Sequence, residues 1–389
     1  MKLLPIEYAT RNLGRSPSRL ILTVFGSTLV VLLIMIAGGF MVGMNATLNV
    51  SGSDKNIMLL GAGSIESVER SEVKMESSGI VSSSIKGYKI KAGVEGVSPE
   101  VHIQMPIEIQ GEDRLVLIRG VESEAFLVHD RVDVEYGSLP RAGHNELLVG
   151  SLATRTLGYR MPEDTLGQTI LLDNDSYTIT GIMSAGGGII EGEIWTPLTD
   201  LLVTTQRDTL SCIVIALDEK IGGTRSQLDG FAASRVDLEL AAISEREYYA
   251  ALAEFYKPIQ FMVVMTCLMI AIGGLLGGFN STYAAFASRV REVGTLQTLG
   301  YKRSAITISL IQESIFTAST GAIVACTIAL VVLDGYTIRF SMGTFTLLIT
   351  TEIVALGIAS GLALGIVGAI APAIRCLRLP IPESLRASE

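Results

Sequence analysis

The sequence predicts a membrane protein of four transmembrane α-helices, with a large α+β extracytoplasmic domain inserted between the first and the second. Three observations lead there. Four runs in the 389 residues, Leu20–Met44, Ile259–Tyr283, Ala305–Leu333 and Phe345–Ala371, each exceed the roughly 20 apolar residues needed to cross a bilayer. Residues 45–257 have the mixed polarity of a soluble protein and hold 18 basic against 32 acidic side chains, a net charge of −14. Basic residues gather elsewhere: segments 1–20 and 289–303 each carry a net +3, and the tail adds Arg375, Arg378 and Arg386. Lys and Arg enrichment marks short cytoplasmic loops. Both termini and the loop between the second and third spans are therefore expected inside, and the acidic domain outside.

Taken in order, residues 1–19 read as an amphipathic cytoplasmic elbow. Leu3, Leu4, Ile6, Ala9 and Leu13 supply an apolar side and Arg11 and Arg15 a polar one, the pattern of a helix lying at the interface. Ser16-Pro17-Ser18 then breaks it, because proline disfavours a helical residue before it. The first span, 20–44, has an apolar core longer than that of a signal peptide and is expected to be retained. Within 45–257, short β-like runs at Val101–Ile109, Arg114–Arg119, Glu146–Val149, Thr169–Leu172, Tyr177–Ile182 and Cys212–Leu217 alternate with turn signals. Asp173-Asn174-Asp175 marks a tight hairpin. Helices are expected at Ser151–Leu157, Ser226–Ala233 and Ser244–Tyr256. Ser64–Ser84, rich in Ser and Glu, reads as an exposed arm, and Gly186-Gly187-Gly188 as a mobile loop tip. The remainder divides into a second span (258–284), a cytoplasmic loop (285–304), a third span (305–333), a short external loop (334–344), a fourth span (345–371) and a cytoplasmic tail (372–389).

The loop carries the most specific pattern. Arg291-Glu292-Val293-Gly294-Thr295-Leu296-Gln297-Thr298-Leu299-Gly300 is a charged, helix-compatible segment with glycine at both bends, flanked by Arg289, Lys302 and Arg303. Glu313, about two turns into the third span, is a functional candidate because ionisable groups inside spans are costly. Two readings fit it: pairing with a basic residue of the loop, or simply reaching the interface. Gly273, Gly274, Gly277 and Gly278, and Gly357, Gly361 and Gly365, have the small-xxx-small spacing of closely packed membrane helices. Both packing within the chain and a dimer contact fit it. Cys212, Cys267, Cys326 and Cys376 are scattered, and His102, His129 and His144 lie far apart in sequence, so neither set suggests a metal or redox site. Trp195, the single tryptophan, reads as a core residue. The sequence contains no G-x-x-x-x-G-K-S/T loop, no Gly-x-Ser-x-Gly elbow and no His-Glu-x-x-His helix. No catalytic, cofactor or metal residue is assigned, and any ATP hydrolysis must come from another polypeptide.

Several phrases resemble the MacB/FtsX-like (type VII) ABC permeases. The loop is similar to their coupling helix, R-E-x-G-x-L-x-x-x-G. Ala9-Thr10-Arg11-Asn12-Leu13 with Arg19 resembles their elbow. Val94-Glu95-Gly96-Val97-Ser98-Pro99, Ile118-Arg119-Gly120-Val121, Glu146-Leu147-Leu148-Val149-Gly150, Thr178-Ile179-Thr180-Gly181-Ile182 and Ile194-Trp195-Thr196-Pro197-Leu198 resemble the MacB-type periplasmic core domain. The tail from Ala371 to Arg386 resembles the family's P-A-x-R … P-x-E-x-L-R ending, with Cys376 where Ala is usual. The resemblance spans essentially the whole chain, in a LolC-like architecture with no fused ATPase. It implies a cytoplasmic (inner) membrane permease that is not itself an enzyme. Its partners would be an ABC ATPase binding ATP-Mg, a second permease subunit (homo- or heterodimer), membrane lipid, and a periplasmic adaptor or lipoprotein, with no nucleic acid. ATPase coupling would fall to Arg289, Arg291, Glu292, Gly294, Leu296, Leu299 and Gly300. The implied activity is mechanotransmission, for export or extraction of a hydrophobic or lipidated substrate. The alternatives are an FtsX-like regulator of an external enzyme and a membrane-anchored scaffold without ATPase.

Overall fold

The computed structural model describes residues 17–109, 112–159, 161–173, 175–340, 343–378 and 380–386. The expected elbow helix lies outside the described residues. The chain divides into two compact units: one comprises Gly43–Lys257 with Thr337–Thr346, the other the residues up to Val42 with Pro258–Tyr336 and Leu347–Glu389.

The first unit is α+β and is built on a ten-stranded sheet. Its strands run in the order Leu240–Ser244, Asn56–Gly61, Cys212–Ala216, Val97–Ile109, Glu112–Val121, Glu193–Pro197, Glu146–Gly150, Asp175–Ser184 and Asp133–Gly137, with Thr169–Leu172 alongside Asp175–Ser184 and Val97–Ile109. Pairing is antiparallel except where Glu193–Pro197 meets Glu112–Val121 and Asp175–Ser184 meets Glu146–Gly150. The inner strands Cys212–Ala216, Glu146–Gly150 and Glu193–Pro197 are buried at every position, as strands covered on both faces must be. Thr169–Leu172 instead alternates exposed and buried, with Ile170 and Leu172 inward. One core joins Ile57, Leu59, Val101, Ile118, Leu147 and Ile213 with Leu198, Leu201 and Leu228 from two covering helices.

Three expectations change here. Ser64–Ser84 is not an exposed arm. Its Val73–Lys74 pairs with Thr209–Leu210, and Val68, Val73, Ser77 and Val81 are buried. The few apolar residues there fall where they can reach the core, which composition alone hides. The triple glycine is pinned: Glu191 Oε1 accepts from the Ala185 and Gly187 amides at 2.9 and 2.7 Å, and Ser51 Oγ accepts from the Ile189 amide at 2.8 Å. Finally, the external loop expected at 334–344 contains a hairpin, Thr337–Phe340 with Gly343–Thr346, that belongs to the α+β unit. Phe345 is buried there, its ring edge-on to Tyr256 with centroids 6.0 Å apart. An excised 45–257 fragment would lack this hairpin.

The second unit is helical. Its helices are Pro17–Val50, Glu245–Ala287, Arg303–Ile328 with a π-helical turn at Ala329–Leu333, and Thr351–Leu377, each long and apolar enough to cross a membrane. The fourth helix begins at Thr351 rather than Phe345. The apolar run starting at Phe345 is a strand followed by an extended segment, in which Leu347 and Ile349 are buried, and Asp334 accepts from the Ile349 amide at 2.9 Å. Glycines bring helices together within this chain. A Cβ on Gly361 would lie 2.5 Å from that of Ala322, and one on Gly365 3.0 Å from Ile315 Cα. The first helix joins the third through Thr28 Oγ1, which donates to the Gly321 carbonyl at 3.1 Å. By contrast, Gly273, Gly277 and Gly278 of the second helix have nothing within 4 Å of a Cβ position. That helix carries Pro258, whose missing N–H leaves a gap in the backbone ladder where one unit gives way to the other.

Candidate functional site

The loop between the second and third spans folds as a short helix, Val290–Thr298. Val290, Val293 and Leu296 recur at three-residue spacing and turn one face inward. Val293 and Leu296 pack with Phe286, Ile306, Leu310, Ala373 and Leu377. Gly294 is buried beside them. Gly300 adopts φ +90°, a left-handed conformation natural to glycine past a helix end, and so sets the exit bend. The C-terminal helix Ile381–Arg386 packs against this helix, with Ser384 buried. Arg291, Thr295, Thr298 and Leu299 face outward, and Leu299 is 71% exposed.

Two residues lie differently from a freely presented loop. Glu292 is half-buried, because it precedes Val293 on the flank of the inward face. Arg289 turns away from the exposed side to Glu313, its Nη1 donating to Oε2 at 2.8 Å and its Nη2 to Oε1 at 2.9 Å. Both side chains are nearly enclosed, at 12% and 11% exposure, so this is a bidentate pair rather than a surface contact. Of the coupling residues named from sequence, the structure gathers Arg289, Gly294 and Leu296 into packed positions. It leaves Arg291, Leu299 and Gly300 at the surface.

A second centre, which sequence spacing did not reveal, lies inside the α+β unit. Arg119, on strand Glu112–Val121, is 2% exposed. Its Nη1 donates to Glu100 Oε2 at 3.1 Å and its Nη2 to Glu193 Oε1 at 2.6 Å, while its guanidinium stacks 5.4 Å from the Trp195 ring centre. Glu193 Oε2 accepts from Trp195 Nε1 at 2.9 Å. His102 and His129, distant in sequence, both meet Glu100: their Nε2 atoms lie 3.1 Å from Oε2 and 2.8 Å from Oε1. Burial alone would push the Glu100 carboxyl up, yet His129 and Arg119 overcome it and hold the group well below the usual carboxylate range. Burial and the Arg119 charge push His102 down, so it is neutral. For His129 burial is outweighed by Glu100 and Glu245, and the imidazole is pushed up. The one local signal was the Glu100–His102 spacing, which puts both on one face of a strand; Arg119, His129 and Glu193 come from other elements.

Glu100, His102 and Cys212 bring potential ligand atoms within 4.8 Å of one another. The donor set fits a hydrogen-bonded cluster better than a cation. Glu100 already receives Ser98 Oγ at 3.0 Å as well as His129, His102 and Arg119, and the guanidinium occupies the flank a metal would need. Burial pushes the Cys212 thiol well above its usual range, opposite to the thiolate that metals bind.

An apolar four-helix unit, a sheet-based α+β unit and a short amphipathic helix between spans together describe a multi-pass membrane protein. Residues 20–225 match the MacB-like periplasmic core domain family and residues 263–381 the FtsX-like permease C-terminal family. The chain belongs to the MacB/FtsX-like (type VII) ABC permeases. Among solved structures, it is similar to the periplasmic region of MacB from Actinobacillus actinomycetemcomitans. The two are 10% identical over 54% of this chain and 97% of that one, with a TM-score of 0.40. It is also similar to the extracellular domain of the noncanonic ABC-type transporter YknZ from Gram-positive bacteria, at 13% identity over 49% of this chain and 100% of that one, with a TM-score of 0.35. No curated protein matches the sequence.

Proposed function

We propose that this chain is the membrane subunit of a type VII ABC system, paired with a second permease subunit and driven by a separate ATPase that binds ATP-Mg. In this reading the helix Val290–Thr298 docks on the ATPase at the cytoplasmic face. The α+β unit lies across the membrane and moves when the spans shift, exporting or extracting a hydrophobic or lipidated substrate from the bilayer. The observation that carries the reading is the build of that helix. One side is fixed by Val293, Leu296 and the Arg289–Glu313 pair, and the other offers Leu299 to a partner among the cations Arg291, Lys302 and Arg303. A rigid mount with an exposed apolar tip suits force transfer between two polypeptides. The half-burial of Glu292 moves the expected contact to Leu299 and Arg291.

Leu299→Asp should leave expression and thermal stability unchanged, because the side chain touches solvent. It should abolish co-purification of the ATPase that the wild-type chain captures, a loss on the order of 2 kcal/mol or more if Leu299 is an anchor. Wild-type capture by the variant would remove this surface from the coupling contact. The sidedness is tested separately. In a cysteine-free background, Glu66→Cys should react with an impermeant maleimide in intact cells, and Ser304→Cys only after lysis. The reverse pattern would invert the topology.

A further inference from the structure

The segment Val128–Arg131 touches the ends of two helices that lead out of the α+β unit. Arg131 Nη1 donates to the Val50 carbonyl at 2.6 Å, at the end of the helix Pro17–Val50, where unpaired carbonyls and the helix dipole favour a cation. Asn56 Nδ2 donates both to the Val128 carbonyl at 3.1 Å and to Glu245 Oε2 at 2.8 Å. Glu245 is the first residue of the helix Glu245–Ala287. The same Oε2 accepts from the Ser53 amide at 3.1 Å, and Oε1 lies 3.5 Å from His129 Nδ1. His129 therefore sits between two carboxylates on different elements, Glu245 at the helix start and Glu100 on the strand Val97–Ile109.

We propose that His129, in its protonated form, is the positioning residue that fastens the first turn of the helix Glu245–Ala287 to the sheet, and that this fastening loosens when the imidazolium loses its proton. One imidazolium bridges two buried carboxylates. Without its proton it satisfies one at most as a donor and leaves the other facing a neutral ring in an enclosed site. The charges that face it are Glu100 from its strand, Glu245 from the helix, and Arg119, whose Nη1 lies 3.3 Å from His129 Nε2 and opposes the proton. Tyr248 and Tyr249 of the same helix line the space beside it, and burial pushes both phenols up, away from this range. The opposition is reduced because Arg119 is itself paired with Glu193 and Glu100. Trp195, from strand Glu193–Pro197, adds a neutral ring. The balance raises the affinity of His129 for its proton, in agreement with the geometry. Water can exchange that proton, because His129 and Glu245 line a partly open cleft of about 340 Å³ together with Val50–Asn56 and Gly188–Ile190.

The sign follows. A histidine whose affinity for the proton is raised on folding contributes stability below the ordinary imidazole value and loses it as pH climbs through its higher, folded value. The clasp is closed at neutral and mildly acidic pH and weakens in alkali. This inference concerns the α+β unit alone and stands whether or not an ATPase docks.

The protein carries its own reporter. Trp195 is the only tryptophan, and its ring is edge-on to His129 with centroids 5.7 Å apart, close enough for an imidazolium to quench it. In the full chain in detergent, Trp195 emission should rise on titration from pH 6 to 10, with a midpoint above that of free imidazole. Protection of the amides of residues 246–250 against hydrogen exchange, corrected for the chemical rate, should fall with the same midpoint. His129→Gln should flatten both curves, whereas His102→Gln should leave a titration in both, because burial and the Arg119 charge push His102 toward its neutral form. A titration that persists in His129→Gln, or protection that stays level through the wild-type emission change, overturns the proposal. Should His129→Gln fail to fold, Glu245→Gln decides: removal of one carboxylate must lower the midpoint, and an unchanged midpoint is equally fatal.

Discussion

Arg119→Leu should destabilise the α+β unit by about 3–5 kcal/mol, the range seen when one partner of a buried ionic pair is removed. For a domain whose total stability is on the order of 5–15 kcal/mol, that approaches unfolding. The reason is local. Glu100 and Glu193 are both essentially enclosed, and both are held below the usual carboxylate range against the opposing push of burial, in each case with help from Arg119. Without the guanidinium, the desolvation cost stays and much of the compensation goes. The pH dependence should also reverse. In the wild type the depressed carboxylates contribute stability above their unfolded values, and that stability is lost as pH falls through the folded ones. In Arg119→Leu, Glu193 loses the leading charge that opposes its burial and favours its protonated form when folded, so acidification should restore part of the stability. Denaturant midpoints followed by Trp195 emission from about pH 5 down to 3 would show opposite slopes. Parallel slopes, or a loss below about 1 kcal/mol, would mean that Arg119 is dispensable to the centre.

The second large effect is expected at the pair Arg289–Glu313. Arg289→Met alone strands a carboxylate that is 11% exposed, and should lower stability by about 3 kcal/mol. Glu313→Met alone strands the guanidinium with a comparable cost. The double variant Arg289→Met/Glu313→Met replaces both charges with apolar chains of similar length and should recover most of the loss, since buried pairs are often replaceable as a unit. Thermal midpoints of the four proteins in one detergent complete the cycle. If the losses simply add, with no coupling between the two sites, the fork seen here does not hold the short helix against the third span.

Both effects involve residues of very different legibility. The spans could be read because membrane crossing depends on length and apolarity, which are local properties. The runs Val101–Ile109 and Thr169–Leu172 could be read because alternation is local as well, whereas the first residues of the strand Val97–Ile109, buried one after another, carry no such pattern. Glu313 declared itself by being a charge in an apolar run, and a basic partner in the loop was one of the two readings open to it. The centre around Arg119 could not be found that way. Apart from Glu100 and His102, which share a strand, its members at positions 119, 129, 193 and 245 stand on separate elements, and each taken singly is an ordinary polar residue of an acidic domain. Only sheet register, which sets His102 and Trp195 opposite Arg119, brings Glu100 and Glu193 within its reach. The fourth span was begun too early because Phe345 and Leu347 are apolar for a different reason, burial against protein. The cluster of Ser and Glu near residue 70 misled in the opposite sense, since its few apolar residues are the ones that pack.

The hairpin Thr337–Thr346 bears on the order in which the molecule can be made. A ribosome delivers Gly43–Lys257 well before the hairpin, and the third span must be synthesised in between. Throughout that interval the surface around Tyr256 lacks Phe345, and Gly192 lacks Thr344, whose Cβ lies 3.0 Å from where a Cβ on Gly192 would stand. The nascent α+β unit is thus an unfinished body waiting for its last two strands, and it can be completed only after the helix Arg303–Ile328 has been made.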